Sequence, residues 1–555
     1  MQKWRESLRN RHVYIAIIVL GVLLYGKSMF FDYTYVDDIT IVEVNGEVLK
    51  HLSNLPKVFT SNLLLTVPNP HIYYRPLVNL LFMAEMQLTD NVLPVCHCTN
   101  ILLHLLNCCL LYFLLLKFNV SKTHSGILSL IFCVLPIHAS AIVWIPGRND
   151  TFVTFFILLA FISLLDYAKT SRPVMLGRYA IFYFLGLLTK EIAVVLPILC
   201  LFELIFIEHE RWNSKKVISV VLCSGACIVP WLAMRSLVHP QAFMQQPHYA
   251  LMESLMTGMG AVVLYVGKVF LPLNLTVMPN INDQSLLYGY VSLLAIVLII
   301  VLRGKKECLN ILFGALWFVL FLLPAFLVSA TFFEFRAYCS VVGIVLCIGR
   351  VLPSDNGRYR NVYSIGAVLI LLFFTAVTWK TEDQYRDRMS YAKEAFLHAP
   401  DADEPYSILG GAYIDQGQSA AAEKVLLAGI QKRPSISTVH RMLGDVYAKR
   451  GDVLHAAQEY QISLQREPLH LYAYINYGKL CLQTGAYDQA VQLWKTSVAI
   501  NPEFILGYYY LANYYIHTKS DPDSAMFFVR EIQDHGSVVM PDLLEAVEAL
   551  KARRE

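Results

Sequence analysis

The chain has 555 residues and a formal net charge of only +3; 56% of its residues are hydrophobic and 16% charged. So small a charge, with no Lys/Arg tract interleaved with aromatics, excludes a nucleic-acid binder. The apolar residues come in blocks about as long as the ~20 residues that cross a bilayer core, which excludes a wholly soluble protein. The expected fold class is all-α. A polytopic helical membrane domain fills 1–380, with a first external loop at 32–95. A linker helix follows at 381–400 and a soluble domain at 401–555, about the size of one domain.

In chain order, Lys3, Arg5, Arg9 and Arg11 precede a long apolar stretch with no A-x-A-like cleavage site, which predicts an uncleaved anchor and first span. Eleven spans are predicted, near 13–31, 97–116, 126–145, 150–167, 178–189, 192–208, 216–234, 287–302, 309–329, 335–350 and 362–379. Positive loops mark the cytoplasmic side. Starting inside, alternation places Lys117/Lys122, Lys169/Arg172/Arg178, Arg211/Lys215/Lys216, Arg303/Lys305/Lys306 and Arg350/Arg358/Arg360 inside, each a basic loop. Counting 255–272 as a span would put Arg303, Lys305 and Lys306 outside. It is therefore expected to be an embedded or re-entrant helix, tolerated where protein or a cavity surrounds it. The C-terminal domain then lies outside with the 32–95 loop. Of twelve cysteines only Cys481 falls in the soluble part, which argues against a disulfide framework. The Cys96-His97-Cys98 cluster is expected to be helix packing rather than a zinc site.

Ionisable residues beside spans are costly and tend to be functional. Asp37 and Asp38 follow the first span. They read as a catalytic base with its partner, half of a metal site, or a solvated loop. The same face collects His71, Tyr74 and Arg75, then His138, Arg148 and Asp150. Lys190 and Glu191 fill a tight turn, Arg235 ends the seventh span, and Glu334, Arg336 and Tyr338 open the tenth span. Individually these have plain readings: an internal Lys190–Glu191 pair, a packing His138, an Asp150 helix cap. Their convergence from five loops suggests a polar cavity, with cations suited to phosphate and acids suited to proton transfer.

The soluble part repeats. Leu409-Gly410, Leu443-Gly444, Tyr477-Gly478 and Leu511-Ala512 are spaced 34 apart, and Pro434, Pro468 and Pro502 keep that interval. This resembles the tetratricopeptide repeat, an α-solenoid of about four units here. Such arrays present a concave surface to peptides or partner proteins. Tyr508, Tyr509, Tyr510, Tyr514 and Tyr515 either line that surface or pack helices together.

The acidic pair, Tyr74-Arg75-Pro76-Leu77, His97-x-x-Asn100-x-x-x-His104-x-x-Asn107, Pro136-x-His138 with Gly147-Arg148-x-Asp150, and Thr189-Lys190-Glu191 together resemble the transmembrane and tetratricopeptide-repeat O-mannosyltransferase family. That family is of the GT-C glycosyltransferase type, and the resemblance covers essentially the whole chain. It implies inverting transfer of mannose or a similar hexose from a polyprenyl-phosphate carrier to a Ser/Thr hydroxyl of an acceptor protein on the non-cytoplasmic face. By position Asp37 would be the base, Asp38 would position it or touch substrate, and Arg148, Lys190 and Arg336 would neutralise the leaving phosphate. His71, Tyr74, Arg75, His138, Asp150, Glu191, Glu334 and Tyr338 would support the site or bind substrate. No cofactor is required beyond the lipid-linked sugar, and arginine and lysine are favoured over a divalent metal. The family pattern is broken at Ser140, where a Glu is usual, and at Glu334-Phe335-Arg336, where Glu-Arg is usual. Lacking an ER-retention tetrapeptide, the chain is expected in a bacterial inner membrane with an undecaprenyl carrier and periplasmic repeats. The alternative is the endoplasmic reticulum with a dolichyl carrier and lumenal repeats. A non-catalytic membrane-anchored assembly factor is the competing reading. A transporter is disfavoured because the charges sit at one face, not at the midplane.

Overall fold

The computed structural model describes residues 2–65, 73–207, 213–238, 251–279, 284–303, 308–326, 332–352, 360–400, 402, 404–502, 504–534, 539 and 541–553. Among them every regular element is helical. The chain divides into two compact units, one running to Ala399 and the other from Pro400 to Glu555.

In the first unit, Arg11–Phe30, Val92–Lys117, Ile145–Thr170, Ser214–Val238 and Ser364–Tyr385 are long and apolar enough to cross a bilayer. Lys122–Cys133 and Pro136–Val143 form a sixth such element bent by 49°, because Pro136 cannot donate its backbone hydrogen bond to a continuing helix. Other predicted spans are shorter helices. Pro173–Thr189 has 17 residues, Leu287–Arg303 has 17 and Tyr338–Val351 has 14. The predicted 192–208 span opens as the 3-10 turn Glu191–Val195, continues through Leu196–Phe202 and ends in a π turn, Glu203–Ile207. Among the described residues, five helices, or six with the bent pair, are long and apolar enough to cross a bilayer, and shorter apolar helices accompany them.

The 255–272 stretch is helical within Leu251–Phe270 and leads into an irregular segment, 271–279, that is largely buried. Its backbone is satisfied from neighbours: Glu334 accepts from Thr276 N at 2.9 Å, and Phe332 N donates to Pro279 O at 3.1 Å. Buried irregular backbone requires such partners. Helix Arg360–Glu382 is followed by a 3-10 turn, Asp383–Tyr385, and by Arg388–His398, which Asp387 caps by accepting from Ser390 N at 2.8 Å.

The second unit stacks four helix pairs, beginning with Glu404–Asp415 and Ser419–Lys432 and ending with Ile505–His517 and Pro522–Asp534. A last helix, Pro541–Ala552, follows. The 34-residue period has a packing cause. A Cβ on Gly444 would lie 2.8 Å from the Tyr460 ring, and one on Gly478 would lie 2.4 Å from Trp494 Nε1. Only a small residue admits the large side chain of the paired helix. The tyrosines of Ile505–His517 serve this packing: Tyr508 and Tyr514 are buried, Tyr510 stacks on Trp494 and Tyr515 on Phe528.

Candidate active site

After the first helix the chain passes a 3-10 turn, Gly26–Phe30, and reverses direction around one carboxylate. Asp38 Oδ2 accepts from Thr34 N at 2.6 Å and Thr34 Oγ1 at 2.9 Å, while Oδ1 accepts from Val36 N at 3.2 Å and Ile39 N at 3.0 Å. Collecting amides on both sides of Tyr35 drives that residue into the left-handed region, φ 62°. A tyrosine there is strained by an amount on the order of 1–3 kcal/mol, which Asp38's four bonds offset. Asp38 is thereby a buried clamp with both oxygens engaged.

Asp37, its neighbour, points the other way. It is exposed by surface area and makes no hydrogen bond or ion pair among the described residues. Enough protein still surrounds it that desolvation raises its carboxyl pKa, reinforced by the Asp38 charge and opposed by Arg75. The carboxylate is thus open to solvent on one side and ringed by protein on the other. Tyr391, on the Arg388–His398 helix, is raised too, mainly by burial and then by both aspartates.

Arg75 faces Asp37 electrostatically and is itself fixed. Its Nε and Nη2 donate to Glu191 at 3.2 and 2.7 Å, and its guanidinium lies 4.5 Å over Tyr73. Burial alone would raise Glu191, yet this bidentate pair holds its carboxyl down at about 2. Next in the chain, Lys190 Nζ donates to Asp150 Oδ2 at 2.6 Å, and both residues are buried. Burial lowers the Lys190 pKa and Asp150 opposes that. Arg336 is half-buried, 5.3 Å over Phe333 and 5.9 Å over Phe335, and its charge reaches Asp150. Asp37, Arg75, Glu191, Lys190, Asp150 and Arg336 thus form one web. Apart from Asp37 it carries three cations against two carboxylates, a net positive charge.

Other residues expected at the site are engaged elsewhere. Arg148 is fully buried: Nη1 donates to Glu85 at 2.6 Å, Nε to Asn100 at 2.9 Å and Nη2 to Cys96 O at 2.8 Å, with Phe82 stacked at 4.1 Å. Three of its five N–H donors are thus engaged by buried partners. Glu334 is buried against Lys268 at 2.6 Å, where it supports the 271–279 segment. Tyr74 donates to Phe59 O at 3.0 Å. Tyr338 and His138 are buried with His104, their rings 4.6 Å apart. His71 lies outside the described residues.

One cluster of metal-ligand types exists among the described residues: His104, Cys108 and Cys133, with ligand atoms within 4.8 Å. His104 Nε2 must donate to Cys133 O at 3.0 Å, which leaves Nδ1 to accept from Tyr338 at 2.7 Å. No imidazole lone pair remains for an ion. Sequence reasoning missed Glu85 and Lys268, the partners of Arg148 and Glu334. Glu85 is the lone charge in the apolar helix Pro76–Met86, and Lys268 is the one cation in Leu251–Phe270, which was the available signal.

A family profile described as tetratricopeptide repeat matches residues 409–465 and 441–503. The chain is 21% identical over 459 residues to the protein O-mannosyl-transferase F38B6.6 of Caenorhabditis elegans, covering 78% of this chain and 64% of that protein. Protein O-mannosyl-transferase TMTC2 of Homo sapiens is 30% identical over 97 residues, 17% of this chain and 12% of its own. Human TMTC3 is 26% identical over 231 residues, 40% of this chain and 25% of its own. The chain thus spans less than two thirds of the length of these relatives. The crystal structure of MamA covers 28% of this chain and 90% of its own at 19% identity, with a TM-score of 0.24. By its ordered motifs, its repeats and these relatives, the chain is a membrane protein related to the transmembrane and tetratricopeptide-repeat O-mannosyltransferases.

Proposed function

We propose that the chain is an inverting glycosyltransferase that moves mannose or a similar hexose from a polyprenyl phosphate to a Ser or Thr hydroxyl of a protein. The observation that carries this reading is the division of labour in the acidic pair. Asp38 is consumed by its own loop, while Asp37 is open, without a bonding partner among the described residues, and in one charge web with Arg75, Lys190 and Arg336. Asp37 accepts the acceptor hydroxyl's proton as its oxygen attacks the anomeric carbon. The C1–O bond to phosphate breaks on the opposite face, and its electron pair leaves with the polyprenyl phosphate. Lys190 and Arg336 stabilise that developing charge. A carboxyl raised by burial is a stronger base than a solvated aspartate, which suits proton removal in the transition state. The cations supply charge neutralisation without a divalent metal.

The loop and the repeats act on the non-cytoplasmic side, where the repeats recruit or orient the acceptor protein. Bacterial inner membrane with undecaprenyl phosphate and endoplasmic reticulum with dolichyl phosphate supply the same chemistry. Purified protein in nanodiscs should therefore be assayed with both mannosyl carriers and a Ser/Thr-rich acceptor peptide. Transfer is expected from one of them, with Asp37→Asn retaining carrier binding and losing transfer. An Asp37→Asn enzyme that transfers at the normal rate rules out this base.

A further inference from the structure

Trp144 stands in the turn between Ala139–Val143 and Arg148–Thr170, 5% exposed. Its indole Nε1 donates to Thr34 Oγ1 at 3.1 Å, and that hydroxyl donates onward to Asp38 Oδ2 at 2.9 Å. The ring also lies 5.5 Å from Phe335, and Phe335 is the surface over which Lys190 (5.7 Å) and Arg336 (5.9 Å) sit. One side chain therefore touches both halves of the site. Its polar edge holds the loop that carries Asp37, and its apolar face packs against the residue beneath the cations.

The turn itself is fixed. Asn100 Nδ2 donates to Trp144 O at 3.3 Å, Gly147 N donates to the same oxygen at 3.0 Å, and the buried Arg148–Glu85 pair anchors the following residue. A Cβ at Gly147 would come within 2.3 Å of Ser140 O, so the turn is closed to any larger residue.

We infer that Trp144, acting through Thr34 and Asp38, is a positioning residue that sets the separation between the base and the leaving-group cations. This rests on the reading of Asp37 as base. In-line displacement needs base and phosphate on opposite faces of the anomeric carbon, and a displacement of about 1 Å in such a geometry costs on the order of 100-fold in rate. Trp144 touches no reacting atom in this scheme. Its effect belongs to kcat and not to carrier binding.

The test uses the full-length protein in nanodiscs with mannosyl dolichyl and mannosyl undecaprenyl phosphates. Trp144→Phe keeps the ring against Phe335 and removes the N–H, while Thr34→Val removes the bridging hydroxyl. Each is expected to lower kcat by about 10- to 100-fold with carrier KM unchanged. The double variant should be no worse than the poorer single, and Thr34→Ser should restore the rate. Hydrogen exchange of the Thr34, Val36 and Ile39 amides reads the same link without catalysis, and should speed by about tenfold in Trp144→Phe, the ratio for 1.4 kcal/mol. Normal exchange together with normal kcat in Trp144→Phe overturns the inference, as does an equal change in KM and kcat. If Asp37→Asn transfers normally, the base reading falls instead, and the exchange rates still decide whether Trp144 holds the loop.

Discussion

Arg148→Ala should cripple folding rather than sugar-donor binding. The guanidinium and its Glu85 partner are 0% and 3% exposed and 2.6 Å apart. Removing one member of such a pair leaves the other charge buried and uncompensated, at a cost of about 3–5 kcal/mol. Asn100 and Cys96 O would also lose their donors, each about 1–3 kcal/mol if water does not replace them. Against the 5–15 kcal/mol typical of whole domains, that is a large fraction of stability. The assay is thermal unfolding in detergent, followed by size-exclusion recovery, for wild type, Arg148→Ala, Glu85→Gln and the double variant Arg148→Met/Glu85→Leu. Both singles should unfold well below wild type, and the apolar double should regain the charge-burial part of the loss because neither charge remains to be buried. An Arg148→Ala protein of normal thermal stability but weak donor affinity would refute the reasoning and return Arg148 to the phosphate.

Arg75→Met should move the acid limb of the kcat/KM profile to higher pH. Arg75 lowers the Asp37 pKa, so its loss raises it, and the base then deprotonates later as pH rises; a shift towards lower pH would contradict the assignment. Glu191 is held at about 2 against an ordinary 4.5. Its contribution to stability is present above about pH 4.5 and lost as pH falls towards 2. Acid unfolding of Glu191→Gln should accordingly show a flatter dependence across that window than wild type. In the repeats, Gly478→Ala places a Cβ 2.4 Å from Trp494 Nε1. Overpacking of that kind costs about 1–3 kcal/mol, readable as a lower unfolding midpoint in Trp fluorescence, with transfer chemistry at the membrane site unaffected at permissive temperature.

The repeats were legible because their cause is local and periodic. The small residues at 410, 444 and 478 answer large ones sixteen residues on, at 426, 460 and 494, and Ala512 and Phe528 keep the same interval. The loop aspartates, Arg75, Lys190, Glu191 and Asp150 were legible as charges at span ends, and among them Arg75 pairs with Glu191 and Lys190 with Asp150. The Arg148–Glu85 pair was not legible, because a span-end arginine looks the same whether it faces a cavity or an acid in the core. Glu85 sits in another helix and nothing in the spacing joins the two. The roles of Asp37 and Asp38 were also closed to pattern reading. Which carboxylate is consumed depends on a left-handed Tyr35, and no residue preference announces a strained tyrosine. Hydropathy sums composition, so it shows the apolar blocks but not the bend at Pro136 or the 3-10 turn after Lys190.

In the proposed mechanism the base and the cations stand on opposite sides of one reacting carbon. A cryo-electron microscopy structure of the protein with its mannosyl carrier bound tests this most directly. The account expects the carrier phosphate within hydrogen-bond distance of Lys190 or Arg336, with the Asp37 carboxylate on the far face of the anomeric carbon and Asp38 still holding Thr34, Val36 and Ile39. A phosphate bound elsewhere, or an Asp37 on the phosphate's own side of the sugar, contradicts it.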